Sequence, residues 1–186
     1  NFINLAHGAF AMLGGYVAVL AMTRAGVPFL AALALAFVAG GVVGALFERG
    51  LYRRVYSRGH LDQALFTIGL TFMAIATASY VFGPGQQPVQ LPSYLTGQVR
   101  VAGIDLGAFR LFLIAVVALV TLALNALIEH TRFGAQVRAS VDNRVAAEGL
   151  GIDVARVFSV TFALGSALAA LGGGMAIDVL GLDPSF

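Results

Sequence analysis

Along most of this chain the apolar positions do not alternate; they run on. Five stretches, at about residues 5–23, 27–47, 64–82, 111–128 and 157–180, are apolar almost throughout, and the charged residues collect in short blocks between them. Crossing roughly 30 Å of hydrocarbon takes ~20 helical residues, so each stretch is long enough to span a bilayer. Strands of a membrane barrel would show a period of two, and these stretches do not. The pattern predicts an all-α fold, a polytopic transmembrane helix bundle with about five spanning helices.

Two connections between the spans have structure of their own. In residues 83–110, "GPGQQPVQLP" carries three prolines and cannot be helical. "QVRVAGIDL" then alternates apolar and polar residues around Ala102 and Gly103, which predicts a small hairpin. Such an outer loop is either a docking surface or a plug on the outer end of the bundle. In residues 129–156, Phe133, Val137 and Val141 recur every four positions and predict one face of a short helix. Asp142 and Asn143 suit the N-cap of a second short helix, "RVAAEGL", which Gly149 or Gly151 can end in a left-handed conformation. Asp153 then caps the helix that leads into the last span. With Ala146 and Ala147 exposed, the middle helix offers a small-residue surface over which another protein's cleft could close. The alternative is an interfacial helix held among lipid headgroups by arginine.

Composition sharpens the class. Hydrophobic residues make up 59% of the chain and charged residues only 11%, against about 25% charged in soluble domains, and the mean hydropathy is +0.90. A lipid bilayer is therefore the first partner. The net charge of +2 does not point to nucleic acid, because all 11 cations are arginines in short blocks between spans. Arg49, Arg53, Arg54 and Arg58 fill one connection, and Arg132, Arg138, Arg144 and Arg156 another; Arg24, Arg100 and Arg110 are left for the remaining two. The arginine-rich pair is expected in the cytoplasm, so the first helix runs outward. The start at Asn1 and the stop at Phe186 are expected to be those of a fragment truncated at both ends, with residues 1–186 forming one membrane domain.

Enzyme chemistry finds no foothold. There is no cysteine and no lysine, hence no phosphate-binding loop ending in Lys-Ser/Thr. Three scattered histidines form no metal-ligand spacing or catalytic arrangement; no metal, cofactor or catalytic residue is expected.

Ionisable groups are almost absent from the spans: His7 stands at the mouth of the first and Asp178 toward the far end of the fifth. What remains is hydroxyl and amide, including Asn1, Asn4, Thr67, Thr71, Thr77, Ser79, Thr121, Asn125, Ser159, Thr161 and Ser166. A sparse lining of this kind suits a small, largely apolar zwitterion that needs a few hydrogen bonds. Equally, such groups bond back to their own helix or to a neighbour. "GGYVAVLAM", "AGGVVGALF" and "ALGGG" gather small residues for close helix packing, although Gly172-Gly173-Gly174 could instead break the fifth helix. The candidate pathway-lining residues are Asn4, His7, Thr67, Thr71, Asn125, Gly172 and Gly173, although Asn4 and His7 read more readily as structural caps of the first helix.

An ordered set of motifs gives these features a family. "INLAHGAFAMLGGY" resembles "INLAHGEFxMLGAY", found near the start of inner-membrane permeases of bacterial branched-chain amino acid ABC importers. "FERGLYRRV", "TIGLTFM" and "TFALGSALAALGG" resemble that family's "LERLVYRPL", "TIGLSLL" and "TFALGAALAGLAG". "TRFGAQVRASVDNRVAAEGLGIDVARV" resembles its long cytoplasmic motif through Arg132, Gly134, Arg138, Ala139, Asn143, Ala146, Ala147, Gly151, Ile152 and Arg156. Departures fall at Asn143, Val145 and Ala9, where the family has Asp, often Glu, and usually Glu.

The resemblance implies a non-enzymatic permease subunit of the bacterial inner membrane, with roughly two further spans beyond Phe186. Its expected partners are ABC ATPase subunits, a second permease subunit and an external substrate-binding protein. Residues 129–156 become the coupling loop, with Arg132, Gly134, Arg138, Asn143, Ala146, Ala147, Gly151 and Ile152 as its ATPase-coupling residues. Related permeases carry urea, short amides or aromatic acids; a non-ATP carrier or a channel is the more distant alternative.

Overall fold

The structure, a computed structural model, describes residues 6–56, 58–87, 92–101 and 104–183. In chain order the elements are α1 (His7–Ala25), α2 (Phe29–Gly50), α3 (His60–Phe82), β1 (Gln98–Val101), β2 (Ile104–Gly107), α4 (Ala108–His130), α5 (Arg132–Asp142), α6 (Arg144–Gly149) and α7 (Val154–Leu180). Five of them, α1 to α4 and α7, are long and apolar enough to cross a membrane. The chain is a multi-pass, all-α membrane protein with one small hairpin. It divides into two compact units, Asn1–Gln90 with Phe162–Phe186, and Leu91–Thr161.

The first unit is built on small residues. Ala32, Ala36, Gly40 and Gly44 are buried on α2 at intervals of four, which puts them in one row along the helix. A methyl group on Gly40 would run into Ala170, and one on Gly44 would meet Ser166 at 2.5 Å. Likewise, a Cβ on Gly14 of α1 would overlap the Ala170 backbone, and one on Gly173 of α7 the Ala11 backbone. Lipid supplies no hydrophobic force to press helices together, so close backbone approach and van der Waals contact have to do it. The glycine-rich segments are packing surfaces. α7 runs without interruption through Gly172, Gly173 and Gly174, so the triple glycine does not break the helix.

Local chemistry sets the ends of this unit's elements. α1 stops at Gly26, whose φ of 62° is the left-handed conformation glycine adopts without a Cβ penalty, and Val27 N–H closes the turn onto the Ala21 carbonyl at 3.0 Å. Pro28 then stands at the N-cap of α2. Beyond α7, Gln87 N–H donates to the Leu182 carbonyl at 2.8 Å, and Leu182 is fully buried beside Gly15.

In the second unit β1 and β2 pair antiparallel, Gln98 opposite Gly107 and Arg100 opposite Asp105. Arg100 and Asp105 form a cross-strand ion pair at 2.9 Å. This is the hairpin expected from the alternation; its turn, Ala102 and Gly103, lies outside the described residues. α4 is the most apolar span, yet none of its most apolar stretch is buried among the described residues. The two short helices expected in residues 129–156 are present as α5 and α6.

Candidate functional site

The α4–α5–α6 corner is assembled by three local devices. Thr131 caps α5, its hydroxyl accepting from Gly134 N–H at 3.1 Å. Gly134 is buried where a Cβ would overlap the Ile128 backbone, so the turn from α4 into α5 demands glycine. The Arg138 guanidinium reaches back over the same turn to donate to the Ile128 carbonyl, one of the carbonyls that α4 leaves without an intrahelical partner. Arg132 is the first residue of α5 and points to an exposed position.

Asn143 leaves helical geometry and caps α6, its side chain accepting from Ala146 N–H at 3.0 Å. Gly151, at φ 82°, ends the segment in the left-handed region. Ile152, half-buried, donates its N–H to the Ala147 carbonyl at 3.1 Å. Asp153 accepts from Arg156 N–H at 2.9 Å and starts α7. Arg144 and Glu148 form an i,i+4 ion pair on the exposed face.

One expectation needs correction here. Ala146 is exposed but Ala147 is only 2% exposed, because neighbours in a helix lie about 100° apart and cannot share one face. The four-residue row lies along α5 as expected, with Phe133 and Val137 half-buried and Val141 71% exposed at its far end. Val145 and Leu150 are exposed to a similar degree, so three branched apolar side chains project from α5, from α6 and from the residue that follows α6.

The first unit holds a different kind of site. A cavity of about 430 Å³ lies along α1 and α3, closed off in part by Val43 and Phe47 of α2. Its lining residues are apolar apart from Tyr16 and Thr77. Tyr16 is 4% exposed and stacks on Phe82 with ring centres 4.2 Å apart. Its hydroxyl is buried and has no hydrogen-bond partner among the described residues. Ala9 is also on this wall.

Among the described residues, none of those singled out for a pathway lines this cavity. Asn4 lies outside the described residues. His7 is exposed at the start of α1, where Ala6 holds the cap position and no side chain caps the helix. Thr67 is fully buried and donates to the Ala64 carbonyl at 3.0 Å, and Thr71 donates to the Thr67 carbonyl at 2.9 Å. Asn125 sits exposed on α4. Gly172 faces open space, whereas Gly173 is packed on α1. For Thr67, Thr71, Thr77, Thr121 and Thr161 the hydroxyls bond back within their own helices.

A buried polar end of the first unit was not anticipated. Glu48 is 1% exposed and pairs with Arg53 at 3.2 Å. Beside it Tyr52 is fully buried between Phe66 and Phe162, with ring centres 5.6 and 4.7 Å away. Gln63 spans the turn by donating to the Arg58 carbonyl at 3.0 Å. Burial holds the nearby Tyr56 phenol well above its ordinary value, up to about 12, with the Glu48 charge adding to the rise and Arg53 opposing it. The signal for Glu48 was available: it continues the every-fourth-residue row of Ala36, Gly40 and Gly44.

Residues 1–184 match the family described as "Branched-chain amino acid transport system / permease component". The chain belongs to this family. Among its relatives, the high-affinity branched-chain amino acid transport system permease protein LivH of Escherichia coli is 34% identical over 93% of this chain and 60% of its own length. LivH of Salmonella typhimurium is 33% identical over the same shares. A probable branched-chain amino acid transport permease of Methanocaldococcus jannaschii is 30% identical over 94% of this chain and 56% of its own. The chain thus spans about 60% of the length of the curated relatives it matches. No solved structure matches it significantly. In the terms of this permease family, the two regions described above are a glycine-packed group of spans with an apolar cavity and a capped pair of short helices between α4 and α7.

Proposed function

We propose that this chain is the greater part of a permease subunit of an ATP-driven importer, that it forms part of the membrane path for branched-chain amino acids, and that residues 129–156 dock on a cytoplasmic ATP-binding subunit. A second permease subunit and an external substrate-binding protein complete the assembly, in the bacterial inner membrane, with residues 83–110 on the outer side. Family membership supports the permease role, and the branched-chain amino acid transport named for its relatives supports the substrate class.

One observation carries the coupling part. α5 and α6 are too short and too rich in arginine to enter a bilayer, yet Val141, Val145 and Leu150 are 71%, 79% and 80% exposed. Exposed branched apolar groups beside a fixed cap and a left-handed glycine form a rigid shape that a protein groove can cover. ATP-driven closure of the partner would then bias the permease between inward- and outward-facing states by pulling on that shape.

The test uses the full-length protein with its importer components. Ala146→Trp adds bulk at an exposed position and leaves the corner's own bonds intact, and Gly151→Leu strains the left-handed turn. Both are expected to abolish co-purification of the ATP-binding subunit and to lower ATP-dependent leucine uptake at least tenfold, at unchanged membrane levels. Undiminished uptake in both variants would falsify the docking assignment and leave α5 and α6 as interfacial helices.

A further inference from the structure

The turn from α2 to α3 carries charge that the packing of the first unit does not use. Residues 48–62 hold four arginines against two carboxylates, a net charge of +2. Glu48 is 1% exposed, and its ion pair holds Arg53 against the protein. Arg49, Arg54 and Arg58 are exposed, and their side chains make no hydrogen bond or ion pair among the described residues. The other carboxylate of the segment, Asp62, is exposed in the first turn of α3.

These arginines stand where apolar rows end. On α2, Leu35, Val38, Val42 and Leu46 are exposed at intervals of three and four, on the side away from the buried row that ends at Glu48. Arg49 continues that exposed stripe in the last turn. On α3, Leu61, Leu65, Ile68 and Phe72 form a second exposed stripe, and Arg58 precedes it by three residues. The four apolar positions nearest the turn cover about 16 Å on each helix at 1.5 Å per residue, roughly the depth of one leaflet. A short turn joins the two spans, so both stripes reach the arginines on the same side of the membrane. An arginine placed there lays its stem on apolar surface and extends its guanidinium to the headgroups.

We infer that the α2–α3 turn is a docking surface for anionic phospholipid, with Arg49, Arg54 and Arg58 taking the headgroup phosphate and the stripes of α2 and α3 lying along acyl chains of the same leaflet. A free phosphate or an acidic protein segment would answer the arginines but leave the stripes uncovered. A molecule that joins an anionic head to acyl chains answers both. A zwitterionic head brings a cation of its own to a surface already at +2, so a net negative head is preferred. The assignment depends on the spans alone and not on what the protein carries.

The experiment measures how much labelled phosphatidylglycerol stays with the full-length protein when it is purified from mixed micelles with phosphatidylcholine. The wild type is expected to enrich phosphatidylglycerol about tenfold over the micelle ratio. The triple variant Arg49→Gln/Arg54→Gln/Arg58→Gln is expected to fall to near that ratio, and the corresponding lysine variant to keep most of the enrichment. Arg24→Gln, in the last turn of α1, is expected to match the wild type. On the wild type alone, raising NaCl from about 50 to about 500 mM should cut the enrichment severalfold. Wild-type enrichment in the glutamine variant, or an equal fall in Arg24→Gln, overturns the proposal. Inorganic phosphate that displaces the lipid where chloride of the same ionic strength does not would also overturn it, and make the turn a free-anion site. A wild type without enrichment, together with loss of a co-purifying protein in the glutamine variant, overturns it in favour of an acidic partner.

Discussion

α1 and α4 are both apolar helices of membrane-spanning length, and they are used in opposite ways. α1 is the least apolar of the five spans and has the largest buried share; α4 is the most apolar and has none buried among the described residues. α1 carries Gly8, Gly14 and Gly15, while α4 has no glycine at all. In water the more apolar helix is the better candidate for the core. In lipid the apolar face needs no shelter, and what earns a helix neighbours is the smallness that lets backbones approach. Apolarity locates the spans, and glycine spacing locates the contacts between them.

Placing an alanine at each region in turn is the sharpest way to break this comparison. Gly173→Ala puts a methyl group into the Ala11 backbone, and α1 and α7 can separate only by giving up the contacts along their length. The expected cost is on the order of 3 kcal/mol. Leu119→Ala removes a side chain that is 67% exposed on α4 and is expected to cost under about 0.5 kcal/mol. Thermal unfolding of the detergent-solubilised full-length protein measures both. Equal shifts for the two variants would mean that the glycine contacts do not hold the first unit together.

A smaller effect is expected at the corner between α4 and α5. Gly134→Ala meets the Ile128 backbone, but only one turn must open to relieve it. The cost is on the order of 2 kcal/mol and is confined to that turn. Hydrogen exchange should quicken at α5 amides and stay unchanged in α1, α2 and α7. Spread of the faster exchange into the first unit would show the corner to be coupled to the spans.

How much of this was legible follows from the range of each interaction. The spans show as continuous apolarity, because membrane insertion depends on each segment alone. The caps at Asn143 and Asp153 and the stop at Gly151 could be read in the same way, since a cap bond reaches two or three residues. Ala147 was misjudged because a two-residue motif does not say which neighbour faces inward. Gly134 carried no sequence signal for its tight turn, because that depends on where Ile128 lies. Glu48 was hidden by the arginines around it, although its position on the α2 row marked it as inward-facing. Tyr16 could not have been found: its burial depends on Phe82 of α3 and on Leu182, which only the folded unit brings beside α1. The threonines were visible but ambiguous, and their hydroxyls turned out to serve their own helices.

The smallest predicted effect tests the charged end of the tightly packed unit. Burial raises the Tyr56 phenol from near 10 to about 12, with Glu48 adding to the rise and Arg53 opposing it. A folded-state value above the unfolded one means that the folded protein holds this proton more tightly. The resulting stability is fully present below about pH 10 and is lost as pH rises from there toward 12. Because Tyr56 is half-buried rather than enclosed, the loss is modest. Tyr56→Phe cannot ionise, so its melting temperature should fall less than that of the wild type between pH 10 and 12, and the two curves should run parallel below pH 9. Parallel curves across the whole range would place Tyr56 in contact with water, and would loosen the packing inferred around Glu48 and Tyr52.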